Sequence, residues 1–227
     1  MDRVEVVKEV YRRLKEVFPT PYRPGRTPIE QAVFTVLSQN TTDRNAERCL
    51  DNLKKVTGGN LLKLAELPES TLISAIRPCG MFRQKVKGLK ALVSKWPEIE
   101  ERLRELPPEK GIELLTSLPF VGSKTARVIL TFAFNKNTFP IDTHCYRVLK
   151  RLGIFPENWD KDRISEFMES HFDGEFNREL HYNLIRLGRT ICKARNPNCD
   201  KCPLRELCLY YRNRKRGEEG APTPSQP

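Results

Sequence analysis

Residues 114–134 read LLTSLPFVGSKTARVILTFAF, and this stretch decides how the chain is organised. An apolar helix end runs into Leu118-Pro-Phe-Val-Gly122, and Ser123-Lys-Thr-Ala126 opens a second helix. The result is two helices joined by a tight hairpin. Backbone N–H groups at such a hairpin, and at the helix start it feeds, can take a nucleic-acid phosphate without reading a base. Val121, Gly122, Ser123 and Thr125 are the candidates for that contact, and Lys124 stands at the helix start. Further along, Pro140-Ile-Asp-Thr-His-Cys-Tyr-Arg147 puts Asp142 where an N-cap carboxylate belongs, with His144 just behind it.

Helix signals continue on both sides. Val4, Val7, Val10, Tyr11, Leu14 and Val17 recur at helical spacing over 3–17. Thr27-Pro28-Ile29-Glu30 reads as an N-cap with proline at the first helical position, opening a helix to about Leu37. Thr42 or Asp43 caps the next. Short helices are expected near 60–66 and 69–76, then a basic amphipathic helix over 82–95 and another from Pro107-Pro108. The regions 142–152, 160–172 and 177–188 complete the series. Strand signals are nearly absent, so the fold class is all-α. The tail 212–227 is expected to be a disordered basic and polar segment.

Lys+Arg number 40 and Asp+Glu 29, a net charge of +11 over 227 residues. No apolar run approaches the roughly 20 residues of a spanning helix, and the N-terminus is a charged amphipathic repeat rather than a signal peptide. The reading is therefore no membrane and a cytoplasmic location. The surplus suits a polyanion partner. Ten Lys/Arg lie between 186 and 216 against Asp200 and Glu206, so most of the surplus sits in one segment.

That segment also carries Cys192, Cys199, Cys202 and Cys208, while Cys49, Cys79 and Cys145 are scattered. An odd total with one cluster points to a metal site in a reducing compartment. A zinc ribbon usually shows two C-x2-C pairs far apart. Here a single C-x2-C has spacers of six and five, which favours a [4Fe–4S] cluster on four thiolates; zinc and unconnected thiols are the remaining readings. Lys193 and Arg195 lie between the first two ligands and are candidate phosphate contacts.

Together these pieces resemble the endonuclease III branch of the helix–hairpin–helix–GPD DNA glycosylases. LPFVGSKTA is similar to L-P-G-V-G-x-K-T-A, PIDTHCYRV to V-D-T-H-x-x-R-V, and C-x6-C-x2-C-x5-C is the family's cluster spacing. The resemblance covers residues 1–211. It implies a bifunctional enzyme of base-excision repair that flips a damaged base out of double-stranded DNA. Lys124 would attack the sugar C1′, and Asp142 would stabilise positive charge developing there. A nick 3′ to the abasic site by β-elimination would follow. It also implies two helical domains, 23–132 with the hairpin and 1–22 plus 133–211 with the cluster, the active site between them, and a nucleoid-associated monomer. Alternatives are a mismatch or oxidised-purine enzyme of the same fold, and a non-catalytic DNA-binding module.

Softer matches set the DNA contacts. Ser38-Gln39-Asn40-Thr41-Thr42-Asp43 falls on S-A-Q-A-T-D, so the gap-filling glutamine becomes Asn40, with Gln39 one place earlier. Cys79-Gly-Met-Phe-Arg-Gln-Lys85 falls on T-G-L-Y-x-x-K, which makes Met81 the apolar wedge. Phe120 replaces the first hairpin glycine. The hairpin is therefore expected to be reshaped, or Phe120 to pack on DNA or on the cluster domain.

Overall fold

Helix N-caps set most of the element boundaries. The structure is a computed structural model that describes residues 2–19 and 25–219. Thr27 closes a full capping box with Glu30 ahead of α2 (Pro28–Leu37), and Asp2 caps α1 (Arg3–Val17). Thr42 caps α3 (Asp43–Thr57), which ends on left-handed Gly58. The series continues with α4 (Glu69–Ile76), α5 (Phe82–Glu105), α6 (Pro108–Thr116), α7 (Ser123–Ala133), α8 (Thr143–Leu152), α9 (Lys161–His171), α10 (Gly174–Thr190) and α11 (Leu209–Glu219). No β-strand occurs among the described residues. No helix there is long and apolar enough to cross a membrane.

Three boundaries differ from expectation. α5 runs on past 95 and takes Pro97 into its interior. Trp96 just before it and Ile99 and Leu103 beyond it keep the helical spacing and are buried, and that burial outweighs the hydrogen bond the proline removes. The segment 212–219, expected to be disordered, is helical and continues α11 from Leu209. Leu209 packs over Gly153, and Arg151 stacks on Tyr210 at 4.7 Å. Residues 220–227 of the expected tail lie outside the described residues. Finally, 133–140 groups with the hairpin: Phe139 is buried, and the Thr138 hydroxyl donates to the Arg127 carbonyl at 2.9 Å.

The chain forms two compact units, Arg23–Pro140 and Met1–Tyr22 with Ile141–Pro227. In the first, α2 packs against α3, α5 and α7, and α6 against α7. Val33, Val36, Leu37, Leu50, Leu53, Trp96, Ile129 and Leu130 fill its core. In the second, α10 packs on α1, α8 and α9, and α11 packs on α8. Cys49 and Cys79, read from sequence as scattered thiols, are joined by a disulfide that ties α3 to the turn ahead of Gly80.

Candidate active site and cysteine loop

The hairpin, expected to be reshaped by Phe120, keeps its turn, and Phe120 packs on α5 of its own unit. The Val121 N–H donates to the Leu118 carbonyl at 3.3 Å, closing the turn. Phe120 takes φ +64°, the left-handed conformation that glycine adopts freely. The turn is therefore kept, at a cost on the order of 1–2 kcal/mol for a residue with a Cβ. Phe120 lies over α5 at Gly88, where an added Cβ would stand 3.0 Å from the Phe120 Cβ. No side chain caps α7. Lys124, in its first turn, is exposed, as is Gly122, while Ser123 is half-buried. Val121 and Thr125, proposed as DNA contacts, instead turn inward and are buried at 4% and 8% exposure. Both stand close to the lysine in sequence, but helical geometry rotates Thr125 onto the core face of α7, and the hairpin turn folds the Val121 side chain into the core.

Two more loops in the same unit surround this hairpin. Asn40 (φ +52°) and Met81 (φ +46°) are also left-handed, and the Asn40 amide donates to the Met81 sulfur at 3.3 Å. Three non-glycine residues thus sit in a sparsely populated backbone region at adjoining loop tips, a pattern concentrated at functional sites. Met81 is 47% exposed and Asn40 is exposed, as an inserting pair requires. Gln39 is different: its Nε2 donates to the Phe120 carbonyl at 3.2 Å and to the Thr125 hydroxyl at 3.1 Å.

Lys85 escaped the sequence reading as a site residue. It is 2% exposed, and its Nζ donates to the carbonyls of Leu37 at 2.8 Å and Cys79 at 2.7 Å. It thereby clamps the bases of the Asn40 and Met81 loops. Burial pushes its pKa down to about 8. The motif match that placed Met81 ends on Lys85, but nothing in that stretch shows that the side chain turns inward.

Asp142 caps α8, accepting from the Cys145 N–H at 2.7 Å. Burial alone would raise its pKa. His181, the Cys145 N–H and His144 outweigh that and hold the carboxyl below its ordinary value. It is therefore a carboxylate at neutral pH, suited to stabilising positive charge rather than to carrying a proton. His144 is half-buried, with its Nδ1 3.0 Å from Arg147. Gly188 on α10 allows α8 this close, since an added Cβ would fall 2.8 Å from the His144 Cβ.

Helix α8 also holds the cysteine loop. Arg147 Nε donates to the Cys192 carbonyl at 3.0 Å. Arg151 donates to the Lys193 and Ala194 carbonyls at 2.7 and 3.0 Å and reaches the Cys192 sulfur at 3.4 Å. Lys193 and Arg195 are exposed. Cys192, Cys199, Cys202 and Cys208 line one cavity of about 290 Å³ including its open mouth, with Arg151 and Tyr211. Burial pushes the Cys202 thiol up to about 11; the Leu204 N–H opposes this, and Cys192, Cys208 and Cys199 add to it. Thiolates gathered there need a cationic centre to offset them, and four sulfurs around one cavity meet a cluster's requirement.

The chain is similar to known proteins along most of its length. Residues 33–172 match the HhH-GPD superfamily base excision DNA repair protein model, and residues 192–208 match the iron–sulfur binding domain of endonuclease III. The chain therefore carries a [4Fe–4S] domain. Endonuclease III of Sulfolobus acidocaldarius is 33% identical over 92% of this chain and 97% of the relative. That of Thermotoga maritima is 32% identical over 94% and 97%. A solved non-covalent endonuclease III–DNA complex has a TM-score of 0.80 at 28% identity, covering 95% of this chain and 100% of that one. A trapped endonuclease III–DNA covalent intermediate has a TM-score of 0.81 at 28% identity, with the same coverage. By fold, motif order and relatedness, the chain belongs to the endonuclease III family of HhH-GPD base excision DNA repair proteins.

Proposed function

We propose that this DNA glycosylase and abasic-site lyase removes damaged bases, oxidised pyrimidines foremost, with Lys124 as its nucleophile. The observation that carries the reading is Lys124 itself: an exposed amine in the uncapped first turn of α7, directly after the hairpin. A neutral amine can attack C1′, release the base and form an imine, which a hydroxyl or a water cannot do. β-Elimination from that imine breaks the bond to the 3′ phosphate oxygen and leaves the strand nicked. The Asp142 carboxylate stabilises positive charge on the sugar as the base departs.

Asn40 and Met81 enter the duplex, and the backbone of exposed Gly122 and half-buried Ser123, together with Lys193 and Arg195, grips phosphates. Cys192, Cys199, Cys202 and Cys208 hold the [4Fe–4S] cluster, which, when bound, orders a loop that has no core of its own. The protein acts as a monomer on intracellular, nucleoid DNA. Asn40 and Met81 in place of the family's pair favour a second reading of the same chemistry, with a mismatch or oxidised purine as preferred lesion.

Borohydride trapping on a duplex with an abasic site tests the nucleophile. The parent should cross-link and Lys124→Ala should not; equal trapping by both would remove Lys124 from the role. Duplexes bearing thymine glycol, 8-oxoguanine, G·T or G·U rank the lesions. DNA binding without any trapping would leave only a binding module.

A further inference from the structure

Gln39 and Phe120 are two of the places where the chain departs from the family pattern, and they touch each other. The pattern has alanine where Gln39 stands and glycine where Phe120 stands. Alanine carries no donor, and glycine takes a positive φ freely. Here the Gln39 amide bridges the Phe120 carbonyl and the Thr125 hydroxyl, on either side of Lys124. Its nitrogen offers two hydrogens, one for each acceptor. Phe120 keeps its left-handed backbone with its side chain laid over Gly88. A residue held in that region persists only where its surroundings over-determine it. Gly88 supplies the space, and Gln39 grips the carbonyl.

We propose that Gln39 is a positioning residue for the nucleophile: it braces the Phe120 turn and the first turn of α7, coupling the Asn40 loop to Lys124. Insertion of the loop into the duplex and alignment of the amine then belong to one rigid piece of the first unit. The rival role for Gln39 is a direct contact to DNA. The inference rests on Lys124 being the nucleophile.

The test uses the full-length, cluster-loaded protein and two readouts. One is the single-turnover rate of borohydride trapping on a preformed abasic duplex. The other is the affinity for a duplex carrying a tetrahydrofuran analogue, which cannot form an imine. Gln39→Ala and Gln39→Glu, the latter matched in size but without a donor, should each slow trapping about tenfold while affinity stays within about twofold. In a Phe120→Gly background, which removes the backbone penalty, Gln39→Ala should cost only about twofold, because coupled residues give non-additive losses. An unchanged trapping rate, an affinity loss that tracks the rate loss, or the same Gln39→Ala penalty in both backgrounds would overturn the inference. Lys124→Ala run alongside separates the two claims. Trapping by Lys124→Ala removes the nucleophile, whereas parent-like trapping by Gln39→Ala with Lys124→Ala inert removes only the brace.

Discussion

Buried Lys85 and half-buried Asp142 are two charges with opposite consequences for pH. Lys85 titrates near 8 in the folded chain, against an ordinary value of 10.5. Between those values the unfolded chain binds the extra proton, so stability should rise with pH, by about 3 kcal/mol at most. Denaturant titrations at pH 7.5, 9 and 10.5 check this, and Lys85→Met should flatten the rise. The same substitution leaves the Leu37 and Cys79 carbonyls without their partner, so it should also destabilise the chain, by roughly 1–3 kcal/mol for each carbonyl stranded away from water. Asp142 shows the reverse sign. Its folded pKa lies below the ordinary 3.8, so its stabilisation is present above that value and lost as pH falls through the folded one. Asp142→Asn keeps an oxygen for the Cys145 N–H but removes the charge. Trapping on an abasic duplex should fall about 10²-fold, the scale of one lost electrostatic contact, with little change in melting temperature. A melting loss equal to the activity loss would make Asp142 a cap and nothing more.

At the scale of elements, α8 joins Asp142, the proposed electrostatic partner of the sugar, to the cysteine loop. Its N-cap is Asp142, and its Arg147 and Arg151 hold the segment from Cys192 to Ala194. Gly188→Ala would force α8 off α10, and overpacking of this kind costs about 1–3 kcal/mol. The expected result is a lower melting temperature together with faster loss of iron to a chelator. Loss of stability with iron retained would uncouple the two elements. The purified protein should be yellow-brown with iron and sulfide bound, and Cys199→Ser should bleach it and leave 192–208 open to proteolysis. Many helices were legible locally, since Thr27, Thr42 and Asp142 each sit as a cap where a helix opens; α10 opens at Gly174, ahead of the expected 177, behind an Asp173 cap that was not read. α5 was not, because Pro97 reads as a stop and only packing of the residues beyond it carries the helix through. α11 was not either, because its charged sequence has little apolar face and is held by contacts to α8.

For the whole molecule, the net charge of +11 predicts DNA affinity that falls steeply with salt. Lys193→Ala with Arg195→Ala should reduce the slope of log affinity against log salt by about 1–2 and leave the ranking of lesions intact. A changed ranking would place one of these residues at the base rather than the phosphate. The Cys49–Cys79 disulfide closes a 30-residue separation within the first unit, and in the loop-entropy account that contributes about 3–4 kcal/mol. Thermal melts with and without reductant, compared with Cys49→Ala, should show that difference. The sequence by itself determined the helical class, the caps, the hairpin and the four-cysteine spacing, because each is set within a few neighbouring residues. It also carried the candidates Lys124 and Asp142, because their motifs are contiguous. Only the tertiary structure decided that Gln39 points at Phe120, that Lys85 joins two loops, that Val121 and Thr125 are buried and that Cys49 meets Cys79. Those facts depend on which helix faces meet across tens of residues, and helix packing, not local preference, sets that.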